Sequence, residues 1–142
     1  MKALLLSIFF FAPTLLAPIE VSWKTLGDVK FEKKWDEQEG MYVLYPEFGQ
    51  SVKNLEGKEI RISGYVIPVD YNENNYVLSA FPYAACFFCG GAGPESVMSL
   101  KFKNKGEKFK TDTRIEVTGT LKLNSSDIYE MNYILRNAEK VK

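Results

Sequence analysis

The chain has 142 residues, 18 basic and 18 acidic side chains, and no histidine. Balanced charge leaves no net field to draw it to phosphate backbones or anionic membranes. The missing imidazole excludes Ser-His-Asp and Cys-His nucleophile systems, so chemistry of its own must rest on the two cysteines, Cys86 and Cys89.

At the N-terminus Lys2 precedes an apolar run from Ala3 to Ala12 and a second from Leu15 to Ala17. This is the layout of a secretory signal. Pro13 interrupts it short of the about 20 residues that span a bilayer. Residues 1–17 are therefore read as a signal peptide, which places the protein in the periplasm or cell envelope. Pro13 and Pro18 follow the small-residue exits at Ala12 and Ala17 and leave the cleavage point open. The remaining roughly 120 residues suffice for one core.

Residues 18–57 form an aromatic-rich arm containing Trp23, Leu26, Val29, Phe31, Trp35, Tyr42, Leu44, Tyr45 and Phe48. Their spacing fits neither a strand nor a helix period. The expectation is an extended arm with short turns, its large side chains buried over one opening of the following domain, with an exposed aromatic binding surface as the alternative.

Residues 58–142 read as strands, because β-branched and aromatic residues alternate with polar ones and the runs end at turn formers. Ile60, Ile62, Gly64 and Val66 share one face of the first. The second runs from Tyr76 to Phe81, the third from Val97 to Phe102, the fourth from Arg114 to Leu123 and the fifth from Tyr133 to about Val141. Gly64 and Gly119 each interrupt a strong strand, which is explained if the strand bends or another backbone comes close. An all-β fold follows, a small OB-like five-stranded antiparallel barrel with a Cys/Gly-rich loop between strands 2 and 3.

That loop holds Cys86-Phe87-Phe88-Cys89 followed by Gly90-Gly91-Ala92-Gly93-Pro94. It lacks the lysine and hydroxyl residue of a phosphate loop. Four readings of the cysteines stay open. A disulfide would staple the loop, contributing roughly 2 kcal/mol. Two thiolates could instead form a half-site for zinc, completed by Glu95, another carboxylate, water or the same pair of a second chain in a metal-bridged homodimer. A redox dithiol has the right spacing, but no strand-to-helix context and no basic residue in the motif. An iron-sulfur cluster shared between chains is the fourth. Tyr83, Phe87 and Phe88 are binding-surface candidates.

Three segments carry a family resemblance: Ser22-Trp23-Lys24-Thr25-Leu26, the stretch from Tyr45-Pro46-Glu47-Phe48 through Leu55-Glu56-Gly57-Lys58 to Gly64-Tyr65-Val66-Ile67-Pro68, and Pro82-Tyr83-Ala84-Ala85-Cys86. Together they resemble the exported bacterial family catalogued as domain of unknown function 3299, which implies an OB-like fold. Phe88 stands where the family motif has a histidine, and Cys89 with its glycines replaces a proline run. This marks a distinct branch.

The functional expectation is a non-enzymatic binding or accessory module of the envelope, acting on a small ligand or another envelope protein. Its cysteines would be a disulfide or soft-metal ligands. The rivals are a dithiol-disulfide redox protein and an oligosaccharide- or nucleic-acid-binding module using the open barrel face, with nucleic acid disfavoured by charge.

Overall fold

The computed structural model describes residues 16–70 and 75–142, so the signal-peptide reading falls almost wholly outside the described residues. Its centre is one long strand, β4 (Glu59–Asp70), preceded by β1 (Ile19–Glu20), β2 (Val29–Asp36) and β3 (Met41–Phe48) and followed by β5 (Asn75–Ser79), β6 (Val97–Phe102), β7 (Thr113–Leu123) and β8 (Tyr133–Lys140). The residues from Tyr65 to Asp70 pair with β5 and those from Glu59 to Val66 pair with β7, so β4 serves both sides of the closure. The ring runs β4-β5-β6-β8-β7 and back to β4. β1 lies parallel to the start of β4.

The barrel is not wholly antiparallel as expected. β6 and β8 run parallel, with Ser99 beside Ile134 and Leu100 beside Leu135. The reason is parity. Strand direction can alternate all the way round a closed ring only if the number of strands is even, so five strands require at least one parallel pair. Here β7 crosses to close on β4, and β8 returns between β7 and β6.

Inside lie Ile60, Ile62, Val66, Leu78, Met98, Leu100, Val117, Leu121 and Leu135, all nearly or wholly buried. A Cβ at Gly64 would stand 2.6 Å from the Ser79 carbonyl oxygen, and one at Gly119 would stand 2.7 Å from that of Arg136. Both glycines therefore answer to close backbone approach, as their place in strong strands suggested.

The arm is more ordered than expected. Helix α1 (Trp23–Leu26), capped by the Ser22 hydroxyl, and helix α2 (Gln50–Lys53) flank a hairpin of β2 and β3. Trp23 Nε1 donates to the Ser63 carbonyl at 2.8 Å, and the buried Tyr133 hydroxyl donates to the Leu26 carbonyl at 2.5 Å. Leu26, Phe48, Val52 and Leu55 join the core. The expected burial thus holds at the stem of the hairpin and fails at its far half, where Trp35, Tyr42 and Leu44 are each at least half exposed. Among the described residues no helix is long and apolar enough to cross a membrane.

Overpacking at these two approach points should be costly. Gly64→Ala and Gly119→Ala are each expected to lower unfolding stability by about 2 kcal/mol, measured by urea denaturation. Ala at Gly106, whose Cβ would meet nothing within 4 Å, should leave stability nearly unchanged.

Candidate functional site

The Cys/Gly-rich segment lies between β5 and β6, which are the second and third strands of the barrel ring, and its base is closed where Ala80 N donates to the Ser96 carbonyl at 2.9 Å. Three single-turn 3₁₀ helices follow one another: Tyr83–Ala85, Phe87–Cys89 and Pro94–Ser96. The Cys86 carbonyl accepts from both Cys89 N, at 3.2 Å, and Gly91 N, at 3.0 Å. Gly90 takes φ +73°, a left-handed conformation that ends the turn and suits glycine. A side chain at Gly91 would meet the Ala85 carbonyl at 2.6 Å. Tyr83 N donates to the Asp112 carboxylate at 2.8 Å, and Asp112 N donates to the Val66 carbonyl at 2.9 Å, so the loop is tied back to the barrel.

Both cysteines are free thiols in this structure, Cys86 fully buried and Cys89 exposed. Among the described residues no three Cys, Asp or Glu side chains converge as a metal-ligand set. Glu95 instead lies against Gly93, where an added Cβ would strike its carboxylate. Its charge also helps burial hold the Tyr133 hydroxyl above its ordinary range; burial is the larger cause, with Asp28 a smaller one. Tyr83 and Phe88 are exposed on the outside of the loop. Phe87 packs edge-on to Phe88 at 5.7 Å between ring centres.

Phe87 and Pro94 also close one end of a groove of about 240 Å³. One wall is Val43, Leu44, Tyr45 and Pro46 of β3; the other is the β7–β8 connection, residues 125–132, which includes the apolar Ile128 and Met131. The connection is organised by the buried Asn124. Its Nδ2 donates to the carbonyls of Asp127, Glu130 and Met131, and its Oδ1 accepts from Ser126 N and Asp127 N. The Asp127 carboxylate caps Tyr129 N, while Glu130 pairs with Lys101 at 3.1 Å.

The hairpin tip leans on this connection. The Tyr129 hydroxyl donates to Glu39 at 2.8 Å, and the Tyr45 hydroxyl donates to Asp36 at 2.6 Å. The other Asp36 oxygen accepts from the backbone of Gln38 and Glu39. These bonds, led by that from Tyr45, hold the Asp36 carboxyl below its ordinary range. Sequence reasoning singled out Phe87 and placed Leu44 and Tyr45 in the aromatic arm, but missed the wall formed by the β7–β8 connection. The Asp36-to-Gly40 turn, with Gly40 at φ +63°, was the available signal for a hairpin. Asn124-Ser125-Ser126-Asp127 reads from sequence as a turn or a helix start before Ile128 and Tyr129; it is a turn, and its partner across the groove is set only by tertiary packing.

A family model described as protein of unknown function (DUF3299) matches residues 20–142. The chain is similar to a crystal structure of a DUF3299 family protein from Pseudomonas aeruginosa PAO1, at 18% identity and a TM-score of 0.55, over 89% of this chain and 97% of that one. At that identity the likeness concerns the fold. No curated protein matches the chain.

Two outcomes are expected. Cys86→Ser, which buries a hydroxyl in a site that holds a thiol, should cost about 1–3 kcal/mol, whereas the exposed Cys89→Ser should cost less than about 0.5 kcal/mol, both read by thermal and urea unfolding. Because the folded Asp36 carboxyl is depressed, its contribution is complete above the unfolded value of about 4 and is lost as pH falls through the lower folded value. The protection of the Gln38 and Glu39 amides, taken relative to intrinsic exchange at each pH, should fall over that acid window, and should be reduced in Asp36→Asn at all pH values.

Proposed function

The chain belongs to the DUF3299 family, and from that premise we propose that it is an exported, non-enzymatic binding module of the cell envelope whose ligand lies in the groove between β3, the Cys loop and the β7–β8 connection. The observation that carries this reading is convergence: three segments distant in sequence meet to form one apolar-walled concavity. The polar groups around it are already engaged in holding the walls. Asp36 and Asp127 cap turns, Glu39 accepts from Tyr129 and Glu130 pairs with Lys101. None is left as an acid-base pair for hydrolysis. Export is supported by Lys2 and the apolar run after it.

Val77, Ser79, Val97 and Ser99, which alternate with the inward row on β5 and β6, are themselves buried. That part of the barrel exterior is therefore covered, which disfavours base stacking there. In the redox alternative, Cys89 would be the attacking thiol, because it is exposed while Cys86 is buried.

The test is amide chemical-shift mapping of protein recovered from the envelope fraction, with short peptides, glycan fragments and a single-stranded oligonucleotide as probes. Mass analysis of the same sample should show the N-terminal apolar run removed. Shifts are expected at Tyr45, Phe87, Ile128 and Asn132, with Ile128→Glu weakening affinity at least about 10-fold and Cys89→Ser leaving it unchanged. Binding confined to other surfaces would overturn the groove reading, and a Cys86–Cys89 disulfide that forms and reduces reversibly at a potential near that of cellular dithiols would favour the redox alternative.

A further inference from the structure

Resting on the groove reading, we propose that the ligand is an extended polypeptide segment that adds as a third strand to the free edge of β3. β2 and β3 form a two-stranded sheet, and among the described residues neither pairs with a further strand. The groove is lined by four consecutive residues of β3, Val43 to Pro46. Successive side chains of a strand point to opposite faces, so a hollow touched by all four lies along the strand's edge rather than over either face.

The direction of the free backbone groups follows from register. Val29 lies opposite Phe48, which places Asp28 opposite Gly49, and Gly49 N donates to the Asp28 carbonyl at 2.8 Å. Hydrogen-bonded and non-hydrogen-bonded pairs alternate along an antiparallel ladder. The residues of β3 turned toward β2 are therefore Met41, Val43, Tyr45 and Glu47, and those turned outward are Tyr42, Leu44, Pro46 and Phe48. Pro46 fits this parity, since a proline is tolerated where the amide faces away from the partner strand. The Trp35–Tyr42 ring contact at 5.2 Å fits it too, because side chains approach closest in non-hydrogen-bonded pairs. Leu44 thus offers both N–H and C=O to the groove and Pro46 offers C=O.

This spacing of donors and acceptors is the complement of an extended peptide backbone, the mode by which sheet edges recruit strands. Side chains of the added strand that face the opposite wall would meet Ile128, Met131 and Phe87, which selects apolar residues at alternate positions. Glu39, Asp127 and Glu130 border the groove, against Lys101, which is paired to Glu130. The charge complement is a neutral-to-basic segment. Self-pairing fits less well: with Leu44 opposite its own copy, Pro46 would face Tyr42 and forfeit one bond on each side.

The probe is the peptide acetyl-Lys-Val-Thr-Val-Lys-Val-amide with two N-methylated isomers, one blocking each backbone edge, titrated into the whole mature chain. Strand addition predicts that amide exchange at Leu44 slows at least about 10-fold on saturation. It also predicts that one isomer binds at least about 10-fold more weakly while the other binds like the parent. If both isomers shift Phe87 and Ile128 equally, strand addition is overturned and the groove reading survives. If peptides leave the groove untouched while glycan fragments shift it, the polypeptide class is overturned. Absence of groove shifts with every probe overturns both readings. Protection at Leu44 that grows with protein concentration without peptide overturns the proposal in favour of a second copy.

Discussion

Everything in this molecule hangs on how closely two backbones approach at Gly64. A single 12-residue strand, β4, must bond β5 along one half and β7 along the other. The two pairings overlap at Tyr65 and Val66, immediately after that glycine, where the Ser79 carbonyl closes in. Were the approach looser, β5 could not turn away from β7, the ring would open, and the inward row of Ile60, Ile62 and Val66 would face water. Gly119 performs the same service on β7, at the register shift between Thr118 and Thr120 where β8 swings across. Closure also removes the sheet edges that an open sheet of these strands would expose.

With the barrel's own edges closed, the hairpin becomes the place where unpaired backbone collects. The stem is fixed firmly. Tyr133 reaches from β8 to the Leu26 carbonyl, Trp23 reaches to Ser63, and Asp28 caps the start of α2 through Ser51. Beyond the stem the contacts thin to phenol-carboxylate bonds at the tip. Exposed hydrogen bonds contribute little to stability, so they set the position of the hairpin more than its folding energy. A firm stem with a lightly held far half keeps a strand edge in register with the opposite wall while leaving it accessible to a ligand.

The sequence disclosed the barrel strands because each has one face in the core, and burial on one face imprints period-two alternation. It disclosed Gly64 and Gly119 because an otherwise strong strand has no local reason for a glycine. It did not disclose the hairpin. Trp35, Tyr42 and Leu44 are apolar yet exposed, so in the far half hydropathy no longer tracks the inside of the molecule. The parallel pairing of β6 and β8 leaves no mark on any residue. It follows from the odd number of strands in the closed ring and not from the alternation within any strand. The groove's second wall is less legible still, because Asn124 satisfies its own loop and nothing local reveals that Ile128 and Met131 line a groove with β3.

The cysteine motif, the loudest feature of the sequence, takes on a different meaning in this setting. Its backbone forms a tight turn in which one carbonyl serves two amides and two glycines permit the chain to fold back. The buried Cys86 side chain fills space beneath that turn, and the residue directly after it, Phe87, is delivered to the end of the groove. A disulfide or a bound soft metal would act on the same turn and would fix, or shift, the same aromatic wall. The thiols and the groove thus share one turn of the chain. Chemistry at Cys86 would act one peptide bond away from Phe87, at the end of the groove.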